Sequence, residues 1–383
     1  MDNCAPQFLP VLMHSHSLVS RINGLDTLRA CAILLVLMYH YMVFVSHEPS
    51  FGFLSEIGWV GVDLFFVLSG YLIGNQIFAG LKSEQGFSLK TFYVRRALRT
   101  LPNFYVVLAI YFLFPIEAGG KAVTPLWKFL TFTQNFDLKP GSAFSHAWSL
   151  SIEEQFYLAL PLVAIATIAY LKSVRAMWLV LLASMAGAAC MRYLMWQRVG
   201  DDYTQYYVHI YYSTWCRFDE LLPGVALALL KNFYPQIWLR SLKHGHLSLL
   251  GGAILTGVAM YLFTFHSYVD GQGFLWFTTT FGYSLLAAGF ALLTLAGLSP
   301  NSYLYRWRIP GASTLALWSY ALYLVHKPLM NALIHPFEAW GISVKSGTGI
   351  GGMFALSILA AYVLYRVVET PFMRLRDRYF SYK

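Results

Sequence analysis

Charged residues are scarce in this sequence. Only 12% of its 383 residues are Asp, Glu, Lys or Arg, about half the fraction of an average soluble domain. Apolar residues make up 57%, and apolar runs near 20 residues recur along the chain. This composition excludes an ordinary soluble enzyme. It predicts an all-α polytopic membrane protein, because a helix of about 20 apolar residues spans a bilayer.

Cysteine is also scarce, and the first residues do not have the pattern of a secretory leader. The four cysteines are scattered without C-x-x-C spacing: Cys4, Cys31, Cys190 and Cys216. This argues against a disulfide framework and a metal site. The first 20 residues lack a basic segment followed by a long apolar one, so we expect no cleaved signal peptide. The sequence therefore predicts an N-terminal tail over 1–20 and one membrane domain over 21–383.

The apolar runs predict ten transmembrane helices. They lie near residues 28–46, 57–79, 100–115, 148–171, 176–193, 215–231, 246–265, 272–296, 313–335 and 346–369. With the N-terminus inside, 18 of the 27 lysines and arginines fall on the inner side and six on the outer side. This bias predicts that both termini are cytoplasmic, in the inner membrane. It also accounts for the net charge of +9 without nucleic acid. Segment 124–136 is a candidate interfacial or re-entrant helix.

Several ionisable residues lie inside these apolar runs. In "LRACAILLVLMYHY", Arg29 and His40 are eleven residues apart, so they share one helix face and are separated by roughly 16 Å. Ionisable groups in a span usually mark a functional site. The others fall in the outer half of four further spans: Asp63, Glu153, Glu154, Arg217, Asp219, Glu220 and His326. Counting from the helix ends puts His40 and Glu153 at a common depth of about 8–9 Å, which predicts a hydrogen bond between them, directly or through one water.

Two further patterns place polar groups on single helix faces. Arg95, Arg96 and Arg99 in "FYVRRALR" share one face, and arginine binds phosphate bidentately. Ser149, Glu153 and Tyr157 follow at i, i+4 and i+8, so a hydroxyl, a carboxylate and a phenol point into one cavity.

Each feature also has a purely structural interpretation. An intramembrane histidine often packs as a hydrogen-bonded core residue. Glu153 and Glu154 suit a helix N-terminus, where the dipole favours negative charge. Arg29 suits a snorkelling anchor, and the arginine cluster suits a topology signal. The small residues after Phe65 suit helix packing.

Taken in order, the motifs resemble those of the acyltransferase 3 family of integral membrane acyltransferases. Arg29 and His40 form R-x10-H, and Phe65, Ser69, Gly70, Tyr71 and Leu72 form F-x-x-x-S-G-Y-L. The arginine cluster forms R-R-x-x-R, and Ser149, Glu153 and Tyr157 form S-x-x-x-E-x-x-x-Y. The resemblance covers about residues 21–380.

The resemblance implies a ten-helix core that takes an acyl group, commonly acetyl, from cytoplasmic acyl-CoA. The acceptor is a hydroxyl of a carbohydrate such as a surface polysaccharide or a lipopolysaccharide O-antigen. Many relatives carry an extra span and an SGNH hydrolase-like domain. This chain ends at Lys383 without them, so we expect its membrane domain, or a separate partner, to finish the transfer.

Roles follow for each candidate. We predict His40 as general base, Glu153 as its orienting partner and Arg29 at the acyl-CoA end. The predicted acyl-CoA-binding residues are Arg29, Arg95, Arg96 and Arg99, with no metal. The predicted substrate-binding residues are Asp63, Ser69, Ser149, Tyr157, Arg217, Asp219, Glu220 and His326. Ser69, Ser149 and His40 are all conceivable carriers of a covalent acyl group, and spacing favours none.

Two other functions fit parts of the pattern. The acceptor is alternatively a macrolide-type small molecule. A transporter or flippase of an acyl or glycolipid intermediate also places charges inside the membrane. The sequence lacks the paired interrupted spans of an inverted repeat, which disfavours the transporter. Transfer of a labelled acetyl group separates these classes.

Overall fold

The computed structural model describes residues 22–120, 124–269 and 273–380. The predicted tail over 1–20 lies outside them. The described part contains ten α-helices of 12 or more residues. They are α1 (Asn23–Tyr41), α2 (Val60–Lys82), α3 (Leu89–Leu113), α4 (Trp148–Ala164), α5 (Val174–Val199), α6 (Leu222–Phe233), α7 (Gly245–Phe265), α8 (Tyr283–Leu298), α9 (Ala312–Ala339) and α10 (Gly347–Leu364).

Shorter elements connect or extend these helices. The short α-helices are Phe53–Ile57, Leu126–Leu130, Tyr203–Tyr206, Thr214–Arg217, Pro235–Lys243, Tyr303–Arg306 and Thr370–Tyr379. The π-helical segments are Met42–Ser46, Ile165–Tyr170, Tyr207–Tyr211, Thr278–Gly282 and Tyr365–Glu369, and the 3₁₀ turns are Ser145–Ala147 and Phe218–Leu221. Strands β1 (Tyr268–Val269) and β2 (Gly273–Phe274) pair antiparallel. The predicted interfacial or re-entrant segment 124–136 contains only the helix Leu126–Leu130, followed by turns.

The helices are those of an all-α polytopic membrane protein, as predicted. Among the described residues, seven helical segments are long and apolar enough to cross a bilayer. They are Asn23–Ser46, Val60–Lys82, Ser145–Tyr170, Val174–Val199, Gly245–Phe265, Thr278–Leu298 and Gly347–Tyr379. The other three predicted spans fall on α3, α6 and α9, so the count of ten stays a prediction, as does the cytoplasmic side of the termini.

Helices α1, α2, α8 and α9 form the centre of the bundle. Helix α1 packs against α2, α8 and α9, while α2 also packs along α6. The crossing of α2 and α6 requires glycine on both helices. A Cβ on Gly70 would lie 1.9 Å from the Leu221 carbonyl oxygen, and one on Gly224 would lie 2.0 Å from that of Val67. The glycine of the F-x-x-x-S-G-Y-L motif therefore permits a close backbone approach.

Helices α5 and α7 lie at the periphery. In the most apolar stretch of each helix, only 17% of the residues of α5 and 22% of those of α7 are buried within the protein. Their remaining side chains are the expected lipid-facing surface, since lipid is as apolar as a protein interior. The polar groups instead gather between α1, α2, α3, α4 and α9, where the candidate site lies.

Candidate functional site

A cavity of about 610 Å³ lies between α1, α2, α3, α4 and α9. Its volume is within the ~300–1,000 Å³ usual for small-molecule sites. The cavity brings together eight residues to which the sequence analysis assigned a catalytic or binding role: Arg29, Ser69, Arg95, Arg96, Arg99, Ser149, Glu153 and Tyr157. Glu154, Tyr320 and Tyr323 also line it. The motifs, far apart in the chain, thus meet at one site.

Arginine dominates one part of the cavity wall. Helix α3 is started by the Ser88 hydroxyl, which accepts a hydrogen bond from the Thr91 N–H at 3.2 Å, and its next two turns carry the arginine cluster. Arg95 is already partnered: it donates to the Phe380 carbonyl oxygen at 2.6 Å and forms a 3.4 Å salt bridge with Asp377. Arg95 therefore anchors the C-terminal helix Thr370–Tyr379 to α3.

The other three arginines are placed differently. Within the described ranges, Arg29, Arg96 and Arg99 form no salt bridge. The Arg96 guanidinium lies over the Tyr157 ring, 4.2 Å from its centroid, and its Nε has no hydrogen-bond partner. Three guanidinium groups with unused donors thus face one cavity, an arrangement that suits an anionic ligand.

Glu153 organises the polar wall opposite these arginines. One of its carboxylate oxygens accepts a hydrogen bond from the Ser69 hydroxyl at 3.1 Å, and the other accepts one from the Tyr157 hydroxyl at 2.8 Å. The carboxylate therefore ties α2 to α4 and orients two hydroxyl-bearing side chains of the cavity.

Hydroxyl groups close the end of the cavity near the histidines. The Ser149 and Tyr323 hydroxyls are 2.7 Å apart, and the Tyr323 hydroxyl donates to the His146 carbonyl oxygen at 2.6 Å. This pair of hydroxyls, the Ser149–Tyr323 bridge, joins α4 to α9. Beyond it lie three imidazole rings, those of His40, His146 and His326.

His40 makes a hydrogen bond to another histidine. Its Nδ1 lies 2.6 Å from His326 Nε2, and the two ring planes are nearly parallel, 7° apart, with centroids 4.9 Å apart. His326 Nδ1 lies 2.9 Å from the Leu322 carbonyl oxygen, which can only accept. In a neutral His326, Nδ1 therefore carries the proton and Nε2 accepts the Nδ1–H of His40. This tautomer leaves His40 Nε2 with a free lone pair.

The predicted direct hydrogen bond between His40 and Glu153 is wrong. The Glu153 oxygens bind Ser69 and Tyr157, while His40 binds His326. The depth count assumed that the fourth span enters the membrane near residue 148. The chain is instead buried from 142 onwards, with the 3₁₀ turn Ser145–Ala147 inside the protein. His146 is therefore level with His40, and Glu153 lies roughly 10 Å further along α4.

The sequence analysis did not identify His146 or Lys327 as a candidate site residue. The His146 ring centroid lies 5.9 Å from that of His40 and 5.3 Å from that of His326. The signal for His146 was present: it precedes Ser149 by three residues and Glu153 by seven, so it shares their helix face. Lys327 follows His326 directly and is 1% exposed. The described residues contain no group of three or more His, Cys, Asp or Glu placed to hold a metal ion.

Four predicted substrate-binding residues lie in buried ion pairs and not in the cavity wall. Arg192 forms a bidentate pair with Asp219, at 2.7 and 2.9 Å. Arg217 pairs with Asp63 at 2.8 Å and with Glu220, and its guanidinium lies over the Tyr283 ring. All five charged side chains are fully buried.

These pairs explain why charges occur in the spans without contact to a ligand. A buried charge is tolerated when it is paired and hydrogen-bonded. The two networks connect α2, α5 and the segment before α6. The placement of Asp63, Arg217, Asp219 and Glu220 thus indicates a structural role and does not support the predicted role in substrate binding.

A comparison with protein families agrees with this geometry. Residues 22–366 match the family model Acyl_transf_3, described as an acyltransferase domain. The match includes every residue that lines the cavity.

Curated relatives were found along most of the chain. It is 27% identical over 374 residues to the peptidoglycan O-acetyltransferase OatA of Listeria monocytogenes, covering 91% of this chain and 55% of OatA. It is 28% identical over 387 residues to the putative peptidoglycan O-acetyltransferase YrhL of Bacillus subtilis, covering 94% and 56%. The chain therefore spans about half the length of these relatives. No solved structure matches the chain.

Proposed function

Since the chain belongs to the acyltransferase 3 family, we propose that it is a membrane O-acyltransferase that moves an acyl group from acyl-CoA to a carbohydrate hydroxyl. One observation carries this proposal: Arg29, Arg96 and Arg99 face a cavity and have no salt bridge within the described ranges. Free guanidinium groups in a partly dry site favour a phosphorylated ligand.

The donor end of the reaction is assigned to these arginines. Their guanidinium groups bind the phosphates of acyl-CoA, and acetyl-CoA is the donor that the family and its acetyltransferase relatives favour. Arg29 and His40 lie on one face of α1, about 16 Å apart along the axis. The thioester arm of the donor extends over this separation, from the arginines towards the histidines.

The acceptor end is assigned to His40. Its free Nε2 removes the proton from the acceptor hydroxyl, and the oxygen attacks the thioester carbonyl carbon. His326 holds the His40 ring in the required tautomer, the role that the sequence analysis gave to Glu153. Loss of the thiolate then completes the transfer, and the His40 imidazolium supplies the thiolate with a proton.

Glu153 has a different role in this proposal. Its hydrogen bonds to Ser69 and Tyr157 shape the cavity wall that faces the arginines. Its negative charge also partly offsets the three guanidinium groups when no donor is bound. We therefore assign Glu153 to the donor site and treat it as a positioning residue.

The acceptor is proposed from the relatives. OatA and YrhL are named for peptidoglycan O-acetylation, so a glycan polymer of the cell surface is the first acceptor to test. Lipopolysaccharide O-antigen is a second carbohydrate acceptor, and a macrolide is the small-molecule alternative. We propose that the protein works in the inner membrane, with its donor site on the cytoplasmic side.

The proposal is tested with purified protein in lipid nanodiscs and acetyl-CoA labelled in the acetyl group. Three acceptors are compared: soluble peptidoglycan fragments, O-antigen polysaccharide and a macrolide. We expect release of free CoA and transfer of label to one of the carbohydrates. Label transfer to the macrolide alone would overturn the carbohydrate assignment. If folded protein released no CoA with any of the three acceptors, the proposed acyltransferase activity would be overturned.

A further inference from the structure

Two basic side chains next to His40 have donors that the protein leaves unused. Among the described residues, neither ring nitrogen of His146 makes a well-aligned hydrogen bond, although the residue is only 3% exposed and its ring lies near the Leu324 backbone carbonyl. Lys327 Nζ lies 3.0 Å from the Ser145 hydroxyl and over the Phe44 ring at 4.2 Å. No carboxylate lies within salt-bridge distance of Lys327 in the described ranges.

The buried His146 imidazole and Lys327 ammonium both destabilise the folded protein when no ligand satisfies them. Burying a polar group without a hydrogen-bond partner destabilises the folded state, and burying a cation without an anion destabilises it more. Fully buried unsatisfied groups are rare in native proteins and require an explanation. A negatively charged atom beside them would satisfy the His146 N–H and the Lys327 ammonium together.

The two donors flank the proposed base. His146 is 5.9 Å from His40 between ring centroids. The Phe44 ring, which carries the Lys327 ammonium on its face, is 5.3 Å from the His40 ring. A neutral imidazole always retains one N–H, so His146 offers a donor in either tautomer. Both hydrogen-bond donors therefore lie close to the His40 ring.

The turn that carries His146 is held rigidly. The Tyr323 hydroxyl binds the His146 carbonyl oxygen, and Lys327 binds the hydroxyl of the preceding Ser145. Helix α9 supplies both contacts, one turn apart, and also supplies His326. Donors that are fixed before the reaction stabilise developing charge without reorganisation.

We infer that His146 and Lys327 form an oxyanion site for the acyl-transfer step, an inference that rests on the proposed function. When the acceptor oxygen, deprotonated by His40, bonds to the thioester carbon, the carbonyl π electrons move to its oxygen. The resulting oxyanion accepts hydrogen bonds from the His146 N–H and the Lys327 ammonium. Its collapse restores the carbonyl, breaks the C–S bond and releases thiolate, which takes the proton from the His40 imidazolium.

The test compares two variants at each position. His146→Leu removes the donor, whereas His146→Gln keeps an N–H; Lys327→Met removes the charge, whereas Lys327→Arg keeps it. His335→Leu is the matched control, because His335 lies further along α9 with a 93% exposed side chain. CoA release with peptidoglycan fragments gives kcat, and calorimetry gives the Kd for acetyl-CoA in nanodiscs.

We expect His146→Leu and Lys327→Met each to lower kcat by about 100-fold, the effect of losing one oxyanion donor. The Kd for acetyl-CoA should not change, and the Gln and Arg variants should recover part of kcat. A purely structural role would lower the amount of folded protein and not the kcat of the folded fraction. A folded His146→Leu variant with wild-type kcat would overturn this inference alone. Absence of CoA release by the wild-type protein with every acceptor tested would overturn the proposed function as well.

Discussion

At the scale of single residues, the partner of His40 decides how the site works. An orienting carboxylate would have stabilised a protonated imidazole, whereas the group that binds His40 here is a second imidazole. Histidine is neutral or charged near physiological pH depending on its surroundings. In the proposed mechanism, a neutral pair keeps a base ready in an apolar bundle without a carboxylate hydrogen-bonded to it.

Replacement of His326 tests this orientation. We expect His326→Ala to lower kcat by about 100-fold, the order of a general-base contribution, with little change in acetyl-CoA affinity. His326→Gln should recover part of kcat, because its amide oxygen can accept the Nδ1–H of His40. Steady-state kinetics separate kcat from KM. Equal kcat values for the Ala and Gln variants would contradict an orienting hydrogen bond.

The arginines make a second prediction at this scale. Arg29→Ala and Arg99→Ala should weaken acetyl-CoA binding by roughly 10–100-fold, since a charged hydrogen bond contributes ~1.5–3 kcal/mol. Lysine at these positions should restore binding only partly, because a point charge loses the bidentate geometry.

Arg95→Ala is the matched control for this series. Its guanidinium is already engaged by Asp377 and the Phe380 carbonyl, so acetyl-CoA affinity should change much less. Calorimetric titration with acetyl-CoA measures all three variants. Equal losses of affinity at Arg95 and Arg99 would show that their different partners do not matter for binding.

At the scale of elements, the crossing of α2 and α6 supports the cavity wall. Ser69, which binds Glu153, precedes the contact glycine Gly70 directly. A change in the distance between these helices would therefore move a hydroxyl of the proposed donor site. Two buried ion-pair networks fix the start of α6 against α2 and α5, so the crossing has little freedom to adjust.

Substitution at this crossing gives the third prediction. Gly224→Ala should lower the free energy of unfolding by about 1–3 kcal/mol or more, the usual cost of overpacking. The added methyl group would lie 2.0 Å from the Val67 carbonyl oxygen. Gly187→Ala, where nothing lies within 4 Å, is the control. Thermal unfolding in detergent measures both; a Gly224→Ala variant as stable as Gly187→Ala would contradict the close approach.

At the scale of the whole molecule, helical periodicity was the most reliable guide. It placed Ser149, Glu153 and Tyr157 on one face, and the cavity contains all three. The pairing of His40 with His326 joins positions 286 residues apart, and nothing in a single sequence encodes that contact. Depth counting failed at Glu153 because a buried 3₁₀ turn precedes α4, so the helix does not begin at the membrane surface.

The predicted orientation of the whole bundle gives the fourth prediction. Lys139 is assigned to the outer side and Lys243 to the inner side, and both are exposed. In a variant with its four cysteines replaced by alanine, a membrane-impermeant maleimide should label Lys139→Cys in intact cells. Lys243→Cys should react only after the membrane is permeabilised. The reverse labelling pattern would show that the topology is inverted and that the proposed donor site faces the outer side.

A protein that spans an energised membrane must not let protons leak across it. The Ser149–Tyr323 bridge separates the cavity from the three imidazoles with one pair of hydroxyl groups. If that bridge stays closed until the acyl chain pushes between the two hydroxyls, donor and acceptor compartments are never joined by water. The same closure would protect a waiting thioester from hydrolysis. The substrate itself would then open the path between the two compartments, and only while it occupies that path.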